Sequence, residues 1–312
     1  TPFFKSGCLT SSNPRTPISK PDNLNFKKAN SNFKEYEFKY LFKNNHWSNK
    51  FKKYWNVGEI GAKNSLNKFL KLGAKNYSIG RNYPSIENVS RLSPYLHWGE
   101  ISPFEVWHEA NKKMFGENKS VFLSELGWRE FSYHLLYNFP NLQDQNLKNN
   151  FDSFPWIENN NLLEKWKKGE TGYPIIDAGM RELWETGYMH NRVRMITSSF
   201  LVKNLLAHWK HGKMWFWNCL LDADAASNSA SWQWVAGTGT DATPFFRIFN
   251  PITQSKKFDS DANYIKKYVP ELSKLPTKII FSPFEYDSSI LKQYDVVLGK
   301  NYPYPIIDYV ES

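Results

Sequence analysis

Three groups of side chains in this sequence have the types and spacing to do chemistry on a flat, polar ligand. Glu125, Trp128 and Arg129 stand three and four residues apart, which puts them on one face of a helix. A carboxylate, a large ring and a guanidinium on one face can stack against a planar molecule and hydrogen-bond to its edge. The commoner meaning of that spacing is plainer: a Glu125–Arg129 ion pair along the helix, beside a core Trp. In Met189-His-Asn-Arg-Val-Arg-Met195, Asn191, Arg194 and Met195 cluster while Arg192 falls on another side. One arginine can then meet a ligand and the other a phosphate backbone; a solvated basic patch is the plain alternative. An arginine turned inward needs a carboxylate, which Asp222 or Asp224 can supply. Those two aspartates have no third ligand and no metal motif around them, so no metal is expected there. The pair His208 and His211 sits beside Lys210 at what reads as an exposed helix end, and no metal is expected there either. Trp232 and Trp234 lie two apart, so on a helix one can pack inside while the other faces an open cavity.

The elements that must position these residues are predicted helices. Ile60, Leu66, Phe69 and Leu70 recur at helical spacing from Gly58, and Gly73 ends that run. Tyr77 to Arg91 reads as a turn-rich loop. Ser93 can cap a helix with Pro94 at its first position, and a second start follows at Ser102-Pro103. Val121 to Asn138 is free of Pro and apolar every three or four residues, which predicts the helix carrying Glu125. Pro174 opens another helix that Gly187 closes, and His190 to Trp209 reads as one long amphipathic helix. Ala223 to Trp234 is rich in small residues and suits close packing against a ligand. Gly237 to Pro251 reads as loop. Alternating strand patterns are nearly absent, so the fold class is mostly α. No repeat appears, and neither a Gly-x-Gly-x-x-Gly after a strand nor a P-loop places a nucleotide in a conventional site.

Composition narrows the class further. Aromatic residues make up 17% of the 312, with 13 Trp, 17 Tyr and 23 Phe, more rings than a disordered or purely surface chain carries. Some must be core, and the rest are free to stack. The formal charge of +10 suits a polyanionic partner, and equally reflects a bias toward Lys and Asn such as that in Phe42 to Lys53. Two cysteines, Cys8 and Cys219, exclude a disulfide scaffold or a Cys-rich metal site. Neither a bilayer-spanning apolar run nor a signal peptide is seen. The chain opens at Thr1 without Met, which is expected of a fragment.

Five ordered, aromatic-rich segments together resemble the flavin-binding domain of the DNA photolyase/cryptochrome family. They are Glu125-Leu-Gly-Trp-Arg-Glu-Phe131; Gly172-Tyr-Pro-Ile-Ile-Asp-Ala-Gly-Met-Arg181 followed by Gly187-Tyr-Met-His-Asn-Arg-Val-Arg-Met195; Leu221-Asp-Ala-Asp224; Trp232-Gln-Trp-Val-Ala-Gly237; and Gly239-Thr-Asp-Ala-Thr-Pro-Phe-Phe-Arg-Ile-Phe-Asn-Pro251. The resemblance runs from about residue 54 to the C-terminus. It implies a helical FAD-binding catalytic domain over 51–312, preceded over 1–50 by an interdomain linker and the exit of an upstream α/β domain. That domain usually holds the family's antenna chromophore, so the antenna is expected to be absent from this chain.

The resemblance also implies roles. Tyr77, Ser90, Arg91, Leu92 and Ser93 would hold the FAD pyrophosphate, with Val89 replacing a frequent Thr. Phe122, Arg129, Tyr188, Asn191 and Arg194 would hold the flavin, Arg194 paired to Asp222, with Asp224 at the isoalloxazine edge and Asn228 beside its N5. Trp128 and Trp234 would stack on a flipped-out pyrimidine dimer that Met195 touches and Glu125 hydrogen-bonds. Arg192 and Arg247 would meet DNA phosphates. Trp156, Trp209 and Trp232 would relay electrons from the surface. The implied reaction is light-driven electron transfer from reduced FAD to cyclobutane pyrimidine dimers in DNA. Met195, Asn228 and Trp234 point to the class I cyclobutane-dimer branch, and His190 without a second His speaks against the (6-4) branch. A blue-light receptor with the same flavin is the runner-up; a basic helical DNA-binding module without cofactor is a third reading. The expected molecule is a monomer, free of membrane, in the cytoplasm or wherever a eukaryotic genome lies. Gly127 and Tyr188 depart from the family pattern, where an apolar residue and Trp are usual.

Overall fold

A computed structural model of the chain describes residues 3–10, 12–18, 46–240 and 248–308. Helices supply nearly all of its regular structure, as the mostly α reading expects. Among the described residues, β pairing is confined to one bridge between Leu298 and Tyr302.

Two apolar cores organise the helices. The first is built from α1 (Glu59–Leu72), α2 (Ser93–His97), α3 (Pro103–Lys113) and α4 (Gly116–Asn138). Leu66, Phe69 and Leu70 of α1 are buried at the expected spacing, whereas Ile60 of the same pattern is exposed. Ser102 caps α3 by accepting from the Phe104 backbone N–H, with Pro103 at the first helical position. Phe69, Tyr77 and Phe122 meet ring to ring inside this core.

The second core holds α5 (Asn160–Lys168), α6 (Pro174–Thr186), α7 (Asn191–Ser199), α8 (Trp209–Cys219), α9 (Ala225–Ala236), α10 (Pro251–Phe258) and α11 (Asn263–Tyr268). Pro174 opens α6 and left-handed Gly187 closes it, as the sequence predicts. Trp166, Phe200, Trp209 and Trp232 fill the centre. Gly212 of α8 makes room for Trp232, since a Cβ there would run into the indole.

Two expectations fail for local reasons. The single helix from His190 to Trp209 is in fact α7, a π-helical turn over Phe200–Asn204, and a break at Leu206, whose φ is +50°. The helical period continues through the π turn, so the pattern hides the break. The new start is capped by His208, whose Nδ1 accepts from the Lys210 N–H, and His is not among the usual capping signals. Ser93, expected as a cap, is instead the first residue of α2; its hydroxyl donates to Asp222.

Within the stretch read as linker, Phe3–Cys8 forms a π-helical turn against α4. Phe4 is buried in the first core, and a Cβ on Gly127 would run into its ring. Glycine inside a helix costs about 1 kcal/mol relative to alanine. The family departure at Gly127 thus has a steric cause.

Candidate functional site

The two cores part around a cavity of about 580 Å³, walled by α4, α7, α9 and the segments that precede α2 and α9. Small residues of α9, among them Ala226 and Ser229, are buried and let it lie close to α4 and α7.

Tyr77, Ser90, Arg91, Leu92 and Ser93 line part of the cavity. Arg91 takes a left-handed backbone, φ +52°, and its guanidinium lies 4.7 Å from the Trp55 ring centre and 4.6 Å from that of Tyr188. Burial pushes the Tyr188 hydroxyl up to about 12, against the pull of Arg194 and Arg91, so it stays a neutral donor. The Arg91 guanidinium favours an anion here.

An ion pair stands in the cavity wall. Arg194 donates through Nη2 to Asp222 at 2.8 Å and through Nε to the Met189 carbonyl at 2.7 Å. Burial opposes the charge of Arg194, but the Asp222 carboxylate outweighs it and holds the guanidinium above its usual range. Asp222 thereby fills the partner role that the sequence left open between it and Asp224. Its Oδ1 is buried and has no partner among the described residues. Asp224 takes other work: it caps α9 through the Ser227 N–H at 2.7 Å and accepts from the Tyr133 hydroxyl at 2.6 Å. Burial, then the hydrogen bond to Asp224, pushes Tyr133 up to about 12. Asn228 donates to the Lys213 carbonyl at 3.1 Å, which leaves its amide oxygen for a ligand.

On α4, Phe122, Glu125, Trp128 and Arg129 all line the cavity. The intrahelical Glu125–Arg129 pair does not form. Glu125 accepts from Arg81 at 2.6 Å, while Arg129 pairs with Glu130 and lies over the Tyr133 ring. Nor is Trp128 a core residue, being 36% exposed. Asn191, Met195, Trp232 and Trp234 complete the wall. Trp232 is buried against Phe216 and Trp166, and Trp234 is half-buried, so the two do diverge as their spacing predicts.

Three predicted residues lie elsewhere. Trp209 is fully buried with its indole N–H on Asn146 at 2.8 Å, and half-buried Trp156 is linked to it by the His208 ring, at centroid distances of 5.2 and 5.6 Å. Arg192 points away from the cavity to Asn82 and the Phe258 ring. Arg247 lies outside the described residues. Sequence reasoning missed Arg81, in a turn without periodicity, and Tyr133, which the α4 face itself would have yielded four residues beyond Arg129.

The residues fit an extended, aromatic, phosphate-bearing cofactor: Arg91 for an anionic group, an uncommitted buried acceptor at Asp222, and indoles on which rings can stack. Residues 122–312 match the family model of the FAD binding domain of DNA photolyase. This chain belongs to the DNA photolyase FAD-binding family. A deoxyribodipyrimidine photo-lyase of Agrobacterium fabrum is 46% identical over 99% of the chain, which spans 65% of that relative's length. A crystal structure of a class III photolyase from Agrobacterium tumefaciens superposes with a TM-score of 0.94 at 46% identity, over 100% of this chain and 65% of that one. A Synechocystis cryptochrome follows with 0.78 at 33%, over 83% and 55%. The expected class I placement is thereby corrected, since so near a structure is described as class III. Met195, Asn228 and Trp234 line the ligand face, which reports what is bound more than which branch binds it.

Beside this cavity, His190 offers a pH test of the wall. Its Nδ1 accepts from the Arg192 N–H, and its buried Nε2 has no partner among the described residues. Burial, aided by Arg192 and Arg194, pushes the imidazole down to about 3 from an ordinary 6.5. The unfolded chain therefore takes up this proton first, and stability is full above pH 6.5 and lost as pH falls toward 3. His190→Asn keeps a cap acceptor but not this linkage. In urea titrations, its stability relative to wild type should improve by about 2 kcal/mol from pH 7 to pH 5. Parallel pH profiles would show that His190 is charged in the folded chain.

Proposed function

We propose that this chain carries the chemistry of a deoxyribodipyrimidine photo-lyase, splitting cyclobutane pyrimidine dimers in DNA with reduced FAD as a monomer. The observation that supports it most is the continuity of one cavity, in which the flavin-holding pair Arg194–Asp222 and the stacking rings Trp128 and Trp234 share a wall. Reduced FAD, when bound and excited by blue or near-ultraviolet light, supplies the electron that opens the cyclobutane ring and receives it back afterwards.

The chain's own residues do the rest. Trp128 and Trp234 stack on the extruded dimer, which leaves the duplex cheaply because it pairs badly. Arg81 fixes Glu125 so that its other oxygen can meet the base edge, and Met195 packs beside it. Asn228 presents its amide oxygen near the flavin. Trp232, Trp209 and Trp156 pass electrons inward. The net charge of +10 adds affinity for the DNA backbone, which should weaken with salt.

The test is light-dependent loss of thymine dimers from an oligonucleotide, using protein loaded with reduced FAD and a dark control. Loss in the light alone supports repair. Persisting dimers with a light-responsive flavin absorbance would overturn it in favour of a photoreceptor, the reading that the likeness to a cryptochrome would then carry.

A further inference from the structure

Phe3 and Phe4 touch no part of the cavity, yet both reach it through α4. Phe4 fills the space that Gly127 leaves, directly before Trp128 in the chain. Phe3 packs on Phe131 with ring centroids 5.2 Å apart and on His134 at 5.4 Å. Phe131 in turn meets Trp128 edge-on, at 5.7 Å and 74°. The next described residues are tied to α3, where His108 Nε2 lies 2.9 Å from the Pro14 carbonyl and Arg15 stacks over Phe104. The N-terminal segment is therefore a strap fixed at two places, and its first fixing bears on the side of α4 that carries Gly127, Phe131 and His134, from which Phe131 reaches Trp128.

A half-exposed ring that must stack on a ligand binds better if its orientation is set beforehand, because less freedom is lost on binding. We infer that Phe3–Cys8 is a clamp that presets Trp128, with Phe3 acting through Phe131 and Phe4 through Gly127. Both are positioning residues for lesion recognition. This rests on the repair reading for its consequence but not for its geometry. The plain alternative, that the rings merely cover apolar surface, predicts a change in stability with none in lesion preference.

The experiment uses the full chain loaded with FAD, in the dark, against paired oligonucleotides with and without a thymine dimer. Phe3→Ala should weaken binding to the dimer about five-fold, leaving affinity for undamaged DNA and flavin content unchanged. In a Trp128→Ala background the same substitution should change nothing. Fluorine NMR of fluorotryptophan-labelled protein gives a readout free of DNA: the Trp128 resonance, assigned by its loss in Trp128→Phe, should move in Phe3→Ala. For the second contact, Gly127→Ala should lower the melting temperature of wild type and spare Phe4→Ala, since neighbouring sites couple. An unmoved Trp128 resonance, or an equal loss of dimer binding with and without Trp128, would overturn the clamp. If wild type shows no dimer preference at all, the repair reading fails, and the NMR shift still decides the clamp.

Discussion

Asp222→Ala is expected to release bound FAD and to cost about 3 kcal/mol of stability. The carboxylate sits at the join of three groups: the Arg194 guanidinium, the Ser93 hydroxyl and the cavity. Removing it leaves Arg194 with the Met189 carbonyl and no counter-charge in a largely buried place. Breaking one side of such a pair costs about 3–5 kcal/mol, and the low end applies because the arginine side chain keeps 24% exposure. Asp222→Asn keeps an acceptor and should fall between. Two measurements check this: the flavin-to-protein ratio after gel filtration, and the melting temperature with and without added FAD. Ligand at a hundred times its dissociation constant stabilises the folded chain by about 2.7 kcal/mol, so wild type should gain several degrees where Asp222→Ala gains none. A variant that retains stoichiometric flavin would show that the pair is a strut of the fold and not a wall of the site.

Much of this was legible in the chain because it rests on local signals. Pro174, Gly187 and the Ser102-Pro103 start act within one helical turn, and each appears where it was read. The residues lining the cavity were legible through resemblance, since Glu125, Trp128, Asn191, Arg194 and Asp222 recur in ordered segments. What sequence could not yield were long-range choices among equal local options. Glu125 had Arg129 four residues away and took Arg81, 44 residues away, instead. Arg192 was read on another side from Arg194 and given to DNA phosphates, yet it turns to Asn82 and Phe258, partners that no local signal names. The His190–Trp209 break was hidden because a π turn preserves amphipathic order, and because a histidine cap resembles any polar residue in a pattern. Gly127 looked like a blemish in an apolar slot. Only the approach of Phe4 from 123 positions earlier in the sequence explains it.

Trp128→Ala is expected to weaken binding of a dimer-containing oligonucleotide by roughly 1–3 kcal/mol, about 5- to 150-fold, the usual worth of one stacking ring. Trp234→Ala should cost a similar amount, for the two rings stand on separate helices, α4 and α9, that face one cavity. If they sandwich the same lesion, their effects couple: once one ring is lost the dimer is no longer clamped, and the second loss costs less than it does alone. Rings that serve separate ligands would instead add. Neither change removes a flavin-holding charge, so FAD content should stay at the wild-type level, which separates lesion recognition from cofactor loss. Dark binding titrations of wild type, both single variants and the double variant would give the coupling directly. Additive losses would place the dimer against one ring only. Wild-type affinity in both single variants would move the lesion off this wall, leaving Trp128 exposed at 36% for a partner other than damaged DNA.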